Sequence, residues 1–180
     1  MVYMFLANGF EEIEALYTVD VLRRAGVEIK TVGVSDKIAM GSHKIPVICD
    51  IYKDELDENA DFDMIILPGG LPGATNLDSD KTVDKFISLA NERGKFICAI
   101  CASPFILGKR GLLNGRRATC FPGFEKELIG ATVTDTGCVR DGNIITAKAM
   151  GASHEFAIEI LSAIKGEAEA TRIKKSFYLN

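Results

Sequence analysis

The chain lacks an excess of positive charge: 21 Lys and Arg stand against 25 Asp and Glu, a formal net charge of −4. That excludes the basic face a nucleic-acid-binding domain needs, and with it charge-driven settling on an anionic membrane. Long apolar runs are missing too. The apolar stretches 2–7, 64–67 and 96–100 fall far short of the ~20 residues of a membrane-spanning helix. No basic segment precedes the first of them, so the amino terminus does not read as a secretory signal. The five cysteines, odd in number and scattered, give no disulfide framework for a secreted domain. The expectation is a reduced, cytoplasmic protein. No repeat, low-complexity tract or linker interrupts residues 1–180, which read as a single domain of ordinary length.

What is present is a globular composition, 47% hydrophobic and 26% charged, with 17 glycines and no tryptophan, which suits a fold of many tight turns. Strands are expected at 2–7, 27–34, 45–51, 63–67 and 96–100, those at 2–7 and 63–67 as buried apolar runs stopped by turn signals. Helical spacing marks 11–25, with Gly26 as its stop, then 80–93, 103–109 and 153–165. Residues 132–147 read as paired strands with a hairpin turn at Asp141-Gly142. A last short helix is expected within 167–180. Strands and helices alternate for most of the length, so the fold class is α/β, a mostly parallel sheet with helices on both faces. In such sheets ligands bind beyond the carboxyl ends of the strands.

Three turns at strand ends can carry chemistry. Phe96-Ile97-Cys98-Ala99-Ile100-Cys101-Ala102-Ser103-Pro104 runs from strand directly into helix with Cys101 at the joint. Such a sharp turn lifts one side chain clear of the sheet, as in a nucleophile elbow. Free N–H groups and the helix dipole then favour a thiolate and lower the thiol pKa. Cys49, Cys98, Cys120 and Cys138 are expected to be buried packing residues. Strand alternation should point Cys98 and Cys101 to opposite faces. No second Cys pair completes a zinc site, so no metal is expected. Leu67-Pro68-Gly69-Gly70 follows another strand, and the Gly70 and Ala102 amides are candidates for an oxyanion hole beside Cys101. It is neither a P-loop nor a dinucleotide fingerprint.

Asn8-Gly9-Phe10-Glu11-Glu12-Ile13-Glu14 places three carboxylates at a helix start, where they complement the dipole. Glu14 shares a helical stripe with Tyr17, Val21 and Ala25, whereas Glu12 shares one with Ala15, Leu16 and Val19, so spacing does not choose between them. A carboxyl buried beside the thiol would hold its proton and donate it in a hydrogen bond. The two histidines, His43 in a polar turn and His154 at the start of a helix, are both expected at the surface, away from Cys101.

These motifs, with Val19-Asp20-Val21-Leu22-Arg23-Arg24-Ala25-Gly26, stand in an order and spacing that resembles the ThiJ/PfpI superfamily, in its DJ-one branch, over nearly the whole chain. The resemblance implies a flavodoxin-like three-layer α/β sandwich, related to class I glutamine amidotransferases, and a homodimer. It also implies that Cys101 is the reactive, oxidisable cysteine and Glu14 the protonated glutamate beside it. Gly70 and Ala102 match the backbone donors, and Cys49 matches a cysteine near the dimer interface of some relatives. Arg24 and Lys44 fall where some relatives have basic residues near the site, possible anion contacts, although Lys44 is an arginine there. The chain departs from the pattern at Phe121, where many relatives carry a histidine, and this removes the base a protease or amidase needs.

Three functions follow as expectations. The first is a glyoxalase or deglycase activity on methylglyoxal, glyoxal or their adducts, needing Cys101 but no cofactor. The second is a redox sensor or chaperone-like stress protein acting through oxidation of Cys101. The third, a role in thiazole or thiamine metabolism, finds no phosphate-binding motif in its support. A small aldehyde or glycated adduct is the expected ligand.

Overall fold

A computed structural model describes residues 1–177. Its strands are β1 Val2–Leu6, β2 Ile29–Gly33, β3 Ile38–Met40, β4 Pro46–Ile48, β5 Ile51–Tyr52, β6 Met64–Leu67, β7 Phe96–Ile100, β8 Arg117–Ala118, β9 Thr132–Val133, β10 Cys138–Asp141 and β11 Ile144–Ala147. Its α-helices are α1 Glu12–Arg24, α2 Gly73–Ser79, α3 Lys81–Glu92, α4 Pro104–Lys109, α5 Ser153–Lys165 and α6 Glu167–Ser176. The part of the expected last helix beyond residue 177 lies outside the described residues.

Seven strands form the central sheet in the order β10-β11-β7-β6-β1-β2-β5. All pairings are parallel except β10 with β11, the expected hairpin. Alternation along each strand splits the core in two. Met4, Leu6, Ile66, Cys98 and Ile100 pack with Phe156, Ile160 and Leu161 of α5, while Phe5, Ile65, Leu67 and Ala99 pack with Phe86 and Ile87 of α3 and Ile106 of α4. Helices on both faces explain why β1, β6 and β7 read as unbroken apolar runs. This is the mostly parallel, flavodoxin-like α/β architecture. No helix among the described residues is long and apolar enough to cross a membrane.

Two elements differ from the sequence reading. Residues 45–51 do not form one strand. β4 pairs antiparallel with β3 in a separate hairpin that leaves Ile38 and Ile48 exposed, and only β5 joins the main sheet. Residues 73–79, to which the sequence assigned no element, form α2. Asp80 caps α3 instead, its carboxylate accepting from the amides of Thr82 and Val83.

Candidate active site

The parallel strands end at one edge of the sheet, and β7, next to the central strand β6, delivers Cys101. This residue has φ 65°, a left-handed conformation that a non-glycine residue holds only when its surroundings impose it. Here both of its backbone groups are tied. Its N–H donates to the Ala147 carbonyl at 2.9 Å, and its carbonyl accepts from the Phe121 amide at 2.7 Å. The Ser103 hydroxyl, buried, donates to the Pro68 carbonyl at 2.6 Å and clamps the start of α4 to the end of β6. Cys101 is thereby lifted half-exposed out of the sheet edge.

Glu14 arrives from α1. Its side chain is 1% exposed, and Oε2 accepts from the Gly69 amide at 2.8 Å. Oε1 has no hydrogen-bond partner among the described residues. The carboxyl and the Cys101 thiol lie close enough to shift each other's titration, and the amides of Gly70 and Ala102 favour charge on the sulfur. The approach requires glycine at position 69: a Cβ there would lie 2.5 Å from Cys101 Cβ and 2.7 Å from Glu14 Oε2. Gly70, at φ +86°, meets the backbone of Gly9 and Glu11 equally closely, which seats the loop against the start of α1. The Glu11 amide donates to the Gly69 carbonyl at 2.9 Å.

Burial pushes the Glu14 carboxyl up to about 7, against the pull of the Gly69 amide and the thiol. The Cys101 thiol is pushed up to about 12 by burial and then by the Glu14 charge, with the Gly70 and Ala102 amides opposing. This corrects the expectation of a thiol with a lowered pKa. The helix behind it is only six residues long, too short to contribute a full macrodipole, and the neighbouring carboxyl competes for the same charge. Two neighbouring acids lose their protons in sequence, the second against the charge of the first. The carboxyl is the first to ionise, with Oε2 held by the Gly69 amide, and the Gly70 and Ala102 amides favour charge on the sulfur once it gives up its proton.

The other expected site residues are placed as follows. Glu12 is buried as well, but its carboxylate turns to the β3–β4 turn, where it accepts from the His43 amide at 2.7 Å and pairs with its Nδ1 at 2.9 Å. Two buried carboxyls on one helix turn explain why spacing could not separate them. Glu11, Glu12 and His43 bring ligand atoms within 4.8 Å of one another, but the lone pairs of Glu12 already serve His43 and Ser42, and Glu11 caps α1. Arg24 is not brought to the thiol within the chain. It lies ten residues beyond Glu14 on α1, about 15 Å away along the axis, paired with Asp20. Lys44, exposed and left-handed at φ 66°, sits on the turn that covers Glu12.

Cys49, Cys98 and Cys120 are buried as expected, but Cys138 is only partly so. Cys98 and Cys101 do not face apart: both pack on the α1 and α5 side of the sheet, because the left-handed turn breaks strand alternation at Cys101. His43 is exposed. His154 is not a surface residue; it is half-buried, with Nδ1 2.8 Å from the Tyr17 hydroxyl. Neither imidazole contacts the thiol. Gly69 and Ser103 escaped the sequence reading, although Gly69 stood beside the residue it named and Ser103 was a lone polar residue in a buried stretch.

Comparison with known proteins places this geometry. The family model described as DJ-1/PfpI matches residues 1–163. Protein dj-1beta of Drosophila melanogaster is 31% identical over 175 residues, covering 96% of this chain and 93% of the relative. Protein DJ-1 homolog B of Arabidopsis thaliana is 32% identical over 171 residues, and there the chain covers 93% of its own length but 39% of the relative. Two further relatives are named for an activity: a deglycase of Pyrococcus abyssi, 30% identical over 166 residues, covering 91% of this chain and 99% of the relative, and a glutathione-independent glyoxalase of Caenorhabditis elegans, 32% identical over 174 residues, covering 94% and 90%. Among solved structures, a cysteine-to-alanine mutant of a DJ-1 superfamily protein from Salmonella typhimurium superposes with TM-score 0.94 at 33% identity, covering 99% of this chain and 98% of that one.

Proposed function

Since the chain belongs to the DJ-1/PfpI family, we propose that Cys101 is the nucleophile of a cofactor-independent glyoxalase or deglycase reaction on methylglyoxal, glyoxal or their adducts. One observation carries this reading: a half-exposed sulfur at a left-handed strand–helix turn, with a proton-holding carboxyl and two backbone amides converging on it. As the sulfur adds to the aldehyde carbon, forming a C–S bond, its proton passes through Glu14 to the carbonyl oxygen. The Gly70 and Ala102 amides hold that oxygen as its charge develops. Glu14, now ionised, moves the proton of this carbon to the neighbouring carbonyl carbon, and the hydroxyl proton crosses to the neighbouring oxygen, which leaves a 2-hydroxyacyl thioester. Water cleaves the thioester and releases lactate from methylglyoxal or glycolate from glyoxal. One carbon is oxidised and its neighbour reduced within the same molecule, so no external oxidant or reductant enters. With Phe121 in place of the family histidine, no imidazole serves an amine leaving group, and peptide hydrolysis is not part of this reading. In the test, purified protein consumes methylglyoxal faster than buffer and Cys101→Ala removes the difference; equal rates for the two proteins sink it.

A second reading, a redox sensor, draws on the same donors. Two equivalents of peroxide each transfer one oxygen to Cys101 and leave as water, and the Glu14 proton and two amides hold the sulfinate oxygens. A 32-dalton gain in intact mass that Cys101→Ala abolishes is the expected result.

We also propose a homodimer through the β3–β4 hairpin. Ile48 is 77% exposed, and Ile38 beside it is 52% exposed, an apolar face that water does not favour. Cys49 lies buried just behind it.

A further inference from the structure

Outside the Cys101 site, a cavity of about 310 Å³ opens where the succession of strands reverses. β1 has β2 on one side and β6 on the other, so the connections that leave these strands part around its carboxyl end. Parallel α/β sheets bind small molecules in crevices of this kind, and the volume suits a ligand of modest size, within the ~300–1,000 Å³ of small-molecule sites. Each of those connections reaches the wall: Asn8 beyond β1, Val34 and Ser35 beyond β2, and Asn76 and Ser79 on α2, which follows β6. The Asn76 side-chain amide donates to the Asn8 carbonyl at 2.8 Å and so ties α2 to the end of β1. Lys53, just past β5, and Asp80, the cap of α3, complete the lining as an ion pair. None of these residues belongs to the Cys101 site.

The charges in the cavity cancel. Lys53 Nζ lies 2.5 Å from Asp80 Oδ2, and the two side chains are sheltered, 23% and 13% exposed. Neither a free anion nor a free cation therefore meets an uncompensated partner. What is left over is hydrogen-bonding capacity of both kinds. Lys53 gives Asp80 one of its three N–H bonds. Asp80 Oδ1 serves the Thr82 and Val83 amides, while Oδ2 takes the lysine. Asn8 Oδ1 accepts from the Met40 amide at 2.9 Å, which leaves its NH2 donors, and Asn76, having given a donor, keeps its oxygen. Val34 is the one apolar residue in the lining, so an alkyl or aryl ligand would strip water from these groups and replace none of its hydrogen bonds. An alcohol hydroxyl donates and accepts at once. We propose that this cavity binds a neutral polyhydroxylated molecule the size of a monosaccharide, its hydroxyls bridging the Lys53–Asp80 pair to the Asn8 and Asn76 amides. The site is independent of the chemistry at Cys101.

The probe is methyl α-D-glucopyranoside, whose blocked anomeric carbon offers no aldehyde to Cys101 or to a lysine. Titrated into nitrogen-15-labelled protein, it should shift the backbone amides of Ser35, Asn76 and Asp80 along one saturating curve, with Kd of about 10 mM or tighter. The amides of Gly70 and Ala102 should stay where they are. Ser35→Trp, at an exposed position, fills the cavity mouth and should weaken that curve at least about fivefold. Asp80→Asn keeps a side chain able to cap α3 but loses the charged acceptor, and should weaken it a few-fold. Amides that do not move by about 100 mM glycoside overturn the proposal, as does a curve that both variants reproduce or one confined to residues around Cys101. Parallel titrations with sodium phosphate, magnesium chloride and glycine decide the ligand class. Saturation of the same amides by any of these at a lower concentration than the glycoside requires also overturns it, in favour of an anion, a cation or a zwitterion. Should Ser35→Trp not fold, Ser35→Leu takes its place with the same expected direction.

Discussion

Replacing Glu14 by glutamine removes a titration while keeping shape and hydrogen bonds. The amide oxygen still accepts from Gly69, and the amide nitrogen faces the sulfur. In the unfolded chain the carboxyl releases its proton near its ordinary value of 4.5, whereas the folded protein holds it to about 7. Between those values the folded state binds one more proton than the unfolded state, so stability falls as pH rises. At about 1.36 kcal/mol per pH unit, that displacement amounts to a loss of about 3 kcal/mol, complete once pH exceeds 7. The same linkage holds whether the charge then sits on oxygen or on sulfur, because it counts protons and not their addresses. Glutamine has no such loss. Urea unfolding of both proteins at intervals from pH 4.5 to 8.5 should therefore show the variant gaining about 3 kcal/mol on the wild type across that range, with m unchanged. Every other carboxylate is common to the two proteins and cancels. A difference that stays flat within about 1 kcal/mol would refute the coupling of burial to proton retention at Glu14.

The same substitution should lower the pH midpoint of Cys101 alkylation, because it removes the Glu14 charge that opposes a thiolate; an identical iodoacetamide profile contradicts this. Gly69→Ala forces a methyl between thiol and carboxyl, so stability should drop by about 1–3 kcal/mol and alkylation slow at least about tenfold. Wild-type rates in that variant would mean the pair does not act as a unit. Ile48→Glu puts a charge on the exposed hairpin face, and sedimentation should then report a monomer where the wild type sediments as a dimer. A wild type that is itself monomeric sinks the assembly.

Much of the fold was legible because its strongest signals are local. β1, β6 and β7 are apolar throughout since both faces of the sheet are covered, and Gly26 and Gly94 stop their helices as composition suggests. The hairpin of β3 and β4 was misread for the opposite reason: its apolar residues face outward, and no pattern in one chain separates an apolar face awaiting a partner from one already buried. At the site, the Cys101 turn and the Pro-Gly-Gly loop stood out in sequence. Three things did not. The choice of Glu14 over Glu12 depends on which neighbour each carboxyl meets, and α1 buries both. The side on which Cys101 lies depends on one left-handed residue that cancels strand alternation. The pKa of its thiol depends on burial and on the charge of Glu14, which outweigh a helix of only two turns.

The outer strands of the sheet carry a further consequence. At one end stands β5, two residues long; at the other stands β10, which carries Arg140 and Asp141. Open backbone at a sheet margin is a template for uncontrolled growth by neighbouring chains, and short or charged margins interrupt it. Copies of this protein are thus denied the edge-on route into fibres, and concentrated solutions should stay clear of cross-β aggregate for as long as the native sheet is intact.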